Sequence, residues 1–236
     1  MSRAEVLASV DIVAMRKVAG TPALEVLLHR RERTPYQGQW ALPGVLVNGR
    51  SADASLAAAA ERALREKAQV TPRHVEQVGT EGNAQRDPRG WSMSTYYLAL
   101  LDPDAPVEGE GLAFFDLERI LDGELALPFD HGLLVRLARE RLASKTVYSS
   151  LPLYLTPACF TVLDALQATQ ACLGAPVNNT SLRKRLERLR EAGWIQATGQ
   201  TLQPKLGRPQ QVYRHTPCEG RVFTFERSLL PEGNAS

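Results

Sequence analysis

Residues 42–70, LPGVLVNGRSADASLAAAAERALREKAQV, carry the reading on which the fold turns. Pro43 and Gly44 make a turn, because proline fixes φ and glycine admits conformations that side chains forbid. A polar loop follows. Asp53–Ala68, rich in Ala, Leu, Glu and Arg, is then predicted to be a helix. Arg62 and Glu66 stand four apart on it, as do Ala63 and Lys67, so each pair shares a helix face. Arg62 and Glu66 can pair and brace the loop. Ala63 and Lys67 place a methyl group beside a cation.

Upstream of the helix, SVDIVAM and ALEVLLHR alternate as two strands joined by a turn at Ala19–Pro22. A polar loop, Arg31–Gln39, precedes a short strand, WAL, that the Pro43–Gly44 turn ends. Downstream, strands are predicted at His74–Thr80, Ser92–Leu101 and Leu112–Asp116, and helices at Leu117–Leu121 and Asp130–Leu142. The sum is an α+β body, a mixed sheet with helices packed on it. Residues 144–152, SKTVYSSLP, read as a linker. Helices at Thr156–Gln170 and Asn179–Ala192 follow, then GWIQATG and QQVYRH as strands around the loop QTLQPKLGRP. Two helices and a basic hairpin are the order of a winged helix-turn-helix. Two domains are therefore expected, residues 1–147 and 148–236.

The composition fits this division. A chain of 236 residues and 26.0 kDa can hold two modest cores, and 44% hydrophobic residues with mixed charge describe an ordinary globular protein. No run approaches the roughly 20 apolar residues that span a bilayer. MSRAEVLASVDIVAM lacks the separate basic, apolar and cleavage regions of a signal peptide and reads as the first strand. Cys159, Cys172 and Cys218 are odd in number and show no metal-type spacing, as expected in a reducing cytoplasm. The net charge of +2 conceals an asymmetry: from Tyr148 onward ten basic residues face six acidic ones, a net of +4, against −2 for the rest. A basic C-terminal third suits a polyanion.

Three groups of residues are candidates for function. Around the opening stretch, Trp40 offers an aromatic face, and Arg30, Arg31 and Arg33 offer charge-assisted hydrogen bonds to phosphate. Arg86-Asp87-Pro88-Arg89-Gly90 is a rigid turn that displays two arginines and an aspartate at a strand entrance. Asp130 is a reasonable N-cap for the helix beginning in Phe129-Asp130-His131. In the C-terminal third, NNTSLRKRLERLREAGWI joins an N-cap signal to a helix carrying Arg183, Lys184, Arg185 and Arg188 near its start. Leu182, Leu186 and Leu189 mark its core-facing stripe. A recognition helix enters the major groove by its N-terminal residues, and arginine pairs bidentately with guanine. The wing, Gln200–Gln211, adds Lys205 and Arg208 beside Gly207 and Pro209, suited to close approach to phosphate.

WALPG with the following loop and helix resembles the Nudix box. Arg62, Leu64, Glu66 and Val70 match its arginine, apolar position, first acid of the Glu-Glu pair and final apolar residue. Ala63 and Lys67 replace the other two glutamates, which in an active Nudix hydrolase hold divalent ions that want hard oxygen ligands. Gln69 replaces the glycine, the loop is about three residues longer, and Asp53 matches the loop acid only loosely. R-D-P-R-G before an aromatic strand, then P-F-D-H at 128–131, then a basic winged helix ending G-R-P-x-x-x-Y-R, resembles the Nudix-related transcriptional regulators over nearly the whole chain. That resemblance implies a Nudix-like α/β/α sandwich that binds ADP-ribose without catalysis or a metal. It implies a winged helix that binds DNA upstream of NAD-metabolism genes.

Carried onto this chain, the resemblance expects the effector at Arg31, Arg33, Trp40, Arg62, Glu66, Arg86, Asp87, Arg89, Phe129 and His131. It expects DNA at Asn179, Ser181, Arg183, Lys184, Arg185, Arg188, Lys205, Arg208 and Tyr213. Ser181–Leu186 agrees in part with the family's Asn-Phe-Arg-Arg-Lys-Leu. A homodimer on a near-palindromic operator is expected, since specific sites usually comprise two half-sites about one DNA turn apart. No cofactor or membrane is implied. Two alternatives stand beside this reading: a working Nudix hydrolase drawing on Asp53, Glu61 and Glu66, and a Nudix-fold regulator of a sugar pathway.

Overall fold

The computed structural model describes residues 6–107, 109–203, 208–216, 221–226 and 229. Lys205, Gly207 and Cys218 and the tail from residue 230 lie outside the described residues. The chain divides into two compact units. The first holds residues 1–16, 25–101 and 105–139, the second residues 17–24, 102–104 and 140–236.

The sheet of the first unit grows from alternation. β1 (Leu7–Lys17) and β2 (Leu24–Arg30) are its central pair, and β6 (Ser92–Leu100) runs parallel to β1 with Leu7 opposite Ser92 and Met15 opposite Leu100. β5 (His74–Asn83) pairs antiparallel with β6 through a bulge between Gln77 and Gly79. β7 (Leu112–Asp116) and the short β3 (Trp40–Ala41) both pair antiparallel with β2. The strand order is β3-β2-β1-β6-β5, a mixed sheet as expected. The short strand expected as WAL forms as β3 and stops before Pro43, and a separate strand, β4 (Gly44–Leu46), follows and pairs antiparallel with Ser9–Asp11 of β1. Gly44 permits this approach: a Cβ there would lie 2.1 Å from Asp11 Oδ1 and 2.9 Å from Val10 O.

The predicted helix forms later than expected, as α1 (Leu56–Ala63), because Ser55 caps it by accepting the Ala58 N–H at 3.1 Å. It continues as one π turn, Leu64–Ala68, closed by Gln69 in the left-handed region at φ 52°. Ala59, Ala60, Ala63, Leu64 and Ala68 are buried with Val10, Ile12, Leu27, Val45 and Tyr97 in the core of this unit. The alanines let the helix lie close to the sheet. α2 (Leu117–Leu121) and α3 (His131–Thr146) complete the elements up to the second unit, which α3 enters at Glu140.

Residues 144–152 are not a linker. α3 runs to Thr146, Thr146 and Ser149 donate to the carbonyls of Leu142 and Lys145 at 2.8 and 2.7 Å, and a buried 3₁₀ turn follows at Leu151–Leu155. The next helix, α4 (Val162–Leu173), starts six residues later than expected. A capping box between Thr161 and Asp164 sets its start, and Cys159–Phe160 forms β8 against Tyr213–Arg214. α5 (Asn179–Glu191) is capped by Asn178. β9 (Ile195–Leu202) and β10 (Gln210–His215) form the hairpin, giving a three-stranded sheet in the order β8-β10-β9. Leu182, Leu186 and Leu189 meet Phe160, Val162, Ala165, Ile195 and Phe225 in its core. No helix among the described residues is long and apolar enough to cross a membrane.

Candidate functional site

In the first unit two adjoining clefts share His29, Arg31, Gly44, Val45 and Leu46. The larger, about 570 Å³, lies between the end of β2, the β4 loop and the π turn. Its lining adds Arg30, Arg33, Arg62, Glu66 and Lys67 among others. Asp53, only a loose match in the sequence, turns out to organise this wall. Arg62 donates to both its oxygens at 2.9 and 2.8 Å and to Leu46 O at 2.9 Å, and the Asn48 N–H donates to it at 2.6 Å. Those bonds, from Arg62 first and Asn48 second, hold the Asp53 carboxyl down to about 2. The expected Arg62–Glu66 pair is secondary, at 3.6 Å.

The helix does not fit a divalent ion. Ala63 is 0% exposed and belongs to the apolar core. Lys67 lines the cleft with a cation, and Asp53 is committed to Arg62. Among the described residues no group of three or more His, Cys, Asp or Glu side chains comes together as a metal site.

The smaller cleft, about 130 Å³, is lined by Ser9, Asp11, Arg86, Asp87, Arg89, Phe129 and His131 with the shared residues. Of the charges expected on display in the R-D-P-R-G turn, Arg89 is exposed but Arg86 and Asp87 are not. Arg86 is buried and donates to both oxygens of Asp130 at 2.8 Å, while Asp11 lies 3.8 Å away. Asp130 therefore spends its carboxylate on Arg86 rather than on a helix cap. Asp87 is buried and holds Arg89 at 2.6 and 3.0 Å. Burial works against the charge on Asp87, but Arg89 and Arg86 outweigh it and hold its pKa low.

Asp11 is the floor of this cleft. It accepts the hydroxyl of Ser94 at 2.5 Å, and His131 Nε2 stands 3.7 Å from it. The Leu42 N–H donates to His131 Nδ1 at 3.0 Å, so that nitrogen is the acceptor and the ring proton sits on Nε2, facing Asp11. Burial lowers the His131 pKa and keeps the ring neutral. One wall is aromatic: Phe129 meets Tyr36 edge-on at 4.8 Å, with the Arg31 guanidinium 4.8 Å from the Phe129 ring centre. Both Phe129, which lines the cleft, and Tyr36 behind it hold positive φ, 58° and 63°, a strained backbone for aromatic residues.

Arg31, Arg33, Arg62 and Glu66 thus line the larger cleft, and Arg31, Arg86, Asp87, Arg89, Phe129 and His131 the smaller. Trp40 lines neither, because its ring packs edge-on against Phe115 at 4.9 Å. Asp11 and His29, which line the clefts, were missed. The two strand residues sit inside apolar runs, and only their polarity at half-buried or buried positions marks them. His29 is pushed down to about 4 by burial, then by the charges of Lys67 and Arg31.

In the second unit α5 presents Asn179, Arg183, Lys184 and Arg188 to solvent, with Ser181 half-buried and Arg208 exposed in the hairpin. Arg183 donates to Asn179 Oδ1 at 3.1 Å. Arg185 is a correction. Three residues past Leu182 and four before Leu189, it falls on the buried stripe, donates to the carbonyls of Thr146 and Val147 and lies over the Phe225 ring at 4.3 Å. Tyr213 is half-buried, its ring stacked on Phe160 at 5.9 Å. Lys205 lies outside the described residues.

No protein-family model matches the chain. A repressor of Acinetobacter baylyi, the ADPR responsive transcriptional repressor NtrR, is 36% identical over 212 residues, 87% of this chain and 81% of that one. The crystal structure of Shewanella oneidensis NrtR complexed with a 27mer DNA superposes with a TM-score of 0.83 at 32% identity, covering 94% of this chain and 99% of that one. The NUDIX domain of the same Shewanella protein complexed with ADP ribose gives a TM-score of 0.53 at 35% identity, covering 59% of this chain and 90% of that one. With a Nudix-like sheet in one unit, a winged helix in the other and this identity across both, the chain belongs to the family of ADP-ribose-responsive, Nudix-related transcriptional repressors.

Proposed function

We propose that the protein represses genes of NAD biosynthesis or salvage, and that ADP-ribose releases it from DNA. The effector occupies the clefts of the Nudix-like part, residues 1–147, and the operator meets the winged helix of residues 148–236. The observation that carries this reading is a cation-rich cleft on a helix stripped of metal carboxylates, in one chain with exposed cations at the start of a recognition helix. Ala63 in the core and Lys67 in the cleft leave hydrolysis without its metal. Arg183, Lys184 and Arg188 meet base edges or phosphates, with Arg208 on the backbone. A homodimer in the cytoplasm reads a near-palindrome. Effector binding favours a dimer geometry that fits the operator poorly, a coupling of about 1–3 kcal/mol.

The test is a gel shift on a promoter fragment of NAD-biosynthesis genes, with and without ADP-ribose. A specific complex that ADP-ribose dissolves is expected. Binding no tighter than to random DNA at moderate salt would sink the reading. The hydrolase alternative would require AMP from ADP-ribose and Mg²⁺, and none is expected, since Asp53 is committed to Arg62 and Glu66 retains no neighbouring acid on the helix.

A further inference from the structure

The cations of the larger cleft are not equivalent. Arg62 is held by Asp53 and Leu46 O, Arg30 Nε donates to Gly38 O at 3.0 Å, and Arg31 Nε donates to Pro35 O at 2.8 Å. Arg33 is exposed. Lys67 is half-buried on the π turn, and among the described residues its ammonium has neither a hydrogen-bond nor an ion-pair partner. An unpaired ammonium in a half-buried cleft is a favourable partner for an anion, and although Glu32 and Glu110 line the same cleft neither pairs with it. Its field is already felt by His29, where Lys67 is the strongest charge acting to lower the pKa. Glu66, the remaining acid on this turn, lies beside Arg65 and Arg62 at 3.1 and 3.6 Å, so it does not neutralise Lys67.

We propose that Lys67 stands where a catalytic relative would hold a divalent cation, so that its ammonium meets the effector's diphosphate and binding requires no metal ion. The inference rests on ADP-ribose being the ligand of this cleft. A lysine serves here as a compact point charge with three donors, able to follow a flexible diphosphate without the octahedral geometry that Mg²⁺ imposes. The π turn that carries Lys67 is a local widening of the helix of the kind found at functional sites.

The test is calorimetric titration of the full chain with ADP-ribose, once in EDTA and once in Mg²⁺. Wild type is expected to bind equally in both, within about twofold. Lys67→Ala weakens binding about tenfold to a hundredfold in either buffer, the loss of one charge-assisted hydrogen bond, and Lys67→Arg recovers most of it. Lys67→Glu, which places a second acid beside Glu66, binds poorly in EDTA and regains affinity when Mg²⁺ is added. A merely structural role for Lys67 would not produce that metal dependence. Melting curves of the three variants report folding, and Lys67→Arg keeps the test informative if Lys67→Ala is unstable. Wild-type binding that disappears in EDTA, or a Lys67→Ala variant that binds like wild type, overturns the proposal while leaving ADP-ribose as the ligand. Wild type that binds ADP-ribose in neither buffer overturns both.

Discussion

Among the described residues each unit buries one arginine to nearly the same extent, Arg86 at 7% and Arg185 at 8% exposure, and the two are satisfied in opposite ways. Arg86 is compensated by charge. Burial alone would lower its pKa, but the bonds to Asp130 and the charges of Asp130, Asp11 and Asp87 prevail and raise it. Arg185 is compensated by dipoles and a ring: its donors reach the carbonyls of Thr146 and Val147, and Phe225 covers its face. Burial, then the like charge of Arg188, bring it down to about 10. In the first unit arginine is part of a neutralised frame around a cleft. In the second it clamps the backbone that follows α3 and leaves Arg183, Lys184 and Arg188 facing solvent. Counting arginines therefore identifies neither the ligand contacts nor the DNA contacts. What each guanidinium is bonded to decides.

The largest expected effect tests the charged solution. Asp130→Asn leaves Arg86 buried beside a neutral amide and should cost about 3–5 kcal/mol in urea unfolding. The pair Arg86→Met with Asp130→Leu should recover most of it. A loss below about 1 kcal/mol in the single variant would show that Asp11 and Ser92, whose Oγ accepts from Arg86 Nη1 at 3.4 Å, suffice as partners. The dipolar solution is weaker. Arg185→Ala should cost about 2–3 kcal/mol through two unmet carbonyls and the lost ring contact, with the salt dependence of DNA binding unchanged. Arg188→Ala should do the reverse. It leaves stability alone, weakens operator binding and reduces the slope of log K against log salt by about one if the contact is to phosphate. Identical salt slopes for the two variants would erase the distinction between the two arginines.

His29 sharpens the comparison through pH. Its pKa is about 4 in the fold against 6.5 for an unperturbed histidine, because burial and the facing Lys67 and Arg31 oppose its charge. Below pH 6.5 the unfolded chain takes up a proton that the fold resists. The group's contribution to stability is therefore complete above about 6.5 and is lost as pH falls from there through about 4, on the order of 3 kcal/mol. His131, lowered by burial, adds in the same direction. Thermal melts across this window should decline for wild type and flatten for His29→Gln; parallel curves would remove His29 as the cause. The smallest effect is local. Gln69 occupies a left-handed conformation at the end of the π turn, where glycine carries no Cβ penalty. Gln69→Gly should therefore stabilise by about 0.5–1 kcal/mol, read as a rise in midpoint.

The parts of the fold that were legible share one property: their signals are local. Alternation revealed β1, β2, β6 and β7, alanine and leucine content revealed α1, and the leucine stripe of α5 named its buried face. Where the expectation slipped, a local signal was overruled or overlooked. The Thr161–Asp164 capping box delayed α4, and burial of Ser149, Ser150 and Leu151 converted a polar stretch into packed structure. Within the candidate site, Arg86, Asp87 and Arg89 were identified, but Arg86 and Asp87 were pictured as displayed and are buried, and Asp11 and His29 were passed over because strand interiors read as core.

Sequence by itself determined the two-part architecture, the absence of carboxylates at positions 63 and 67, and the basic helix of the second unit, since periodicity and residue type are properties of neighbours along the chain. Tertiary structure alone decided which charges are spent and which are free. Arg86 finds Asp130 across 44 residues and Ser94 finds Asp11 across 83, partners that no window of sequence contains. Arg185 turns inward for the same reason: its place on the core stripe is local, but the carbonyls that make its burial tolerable come from the end of α3.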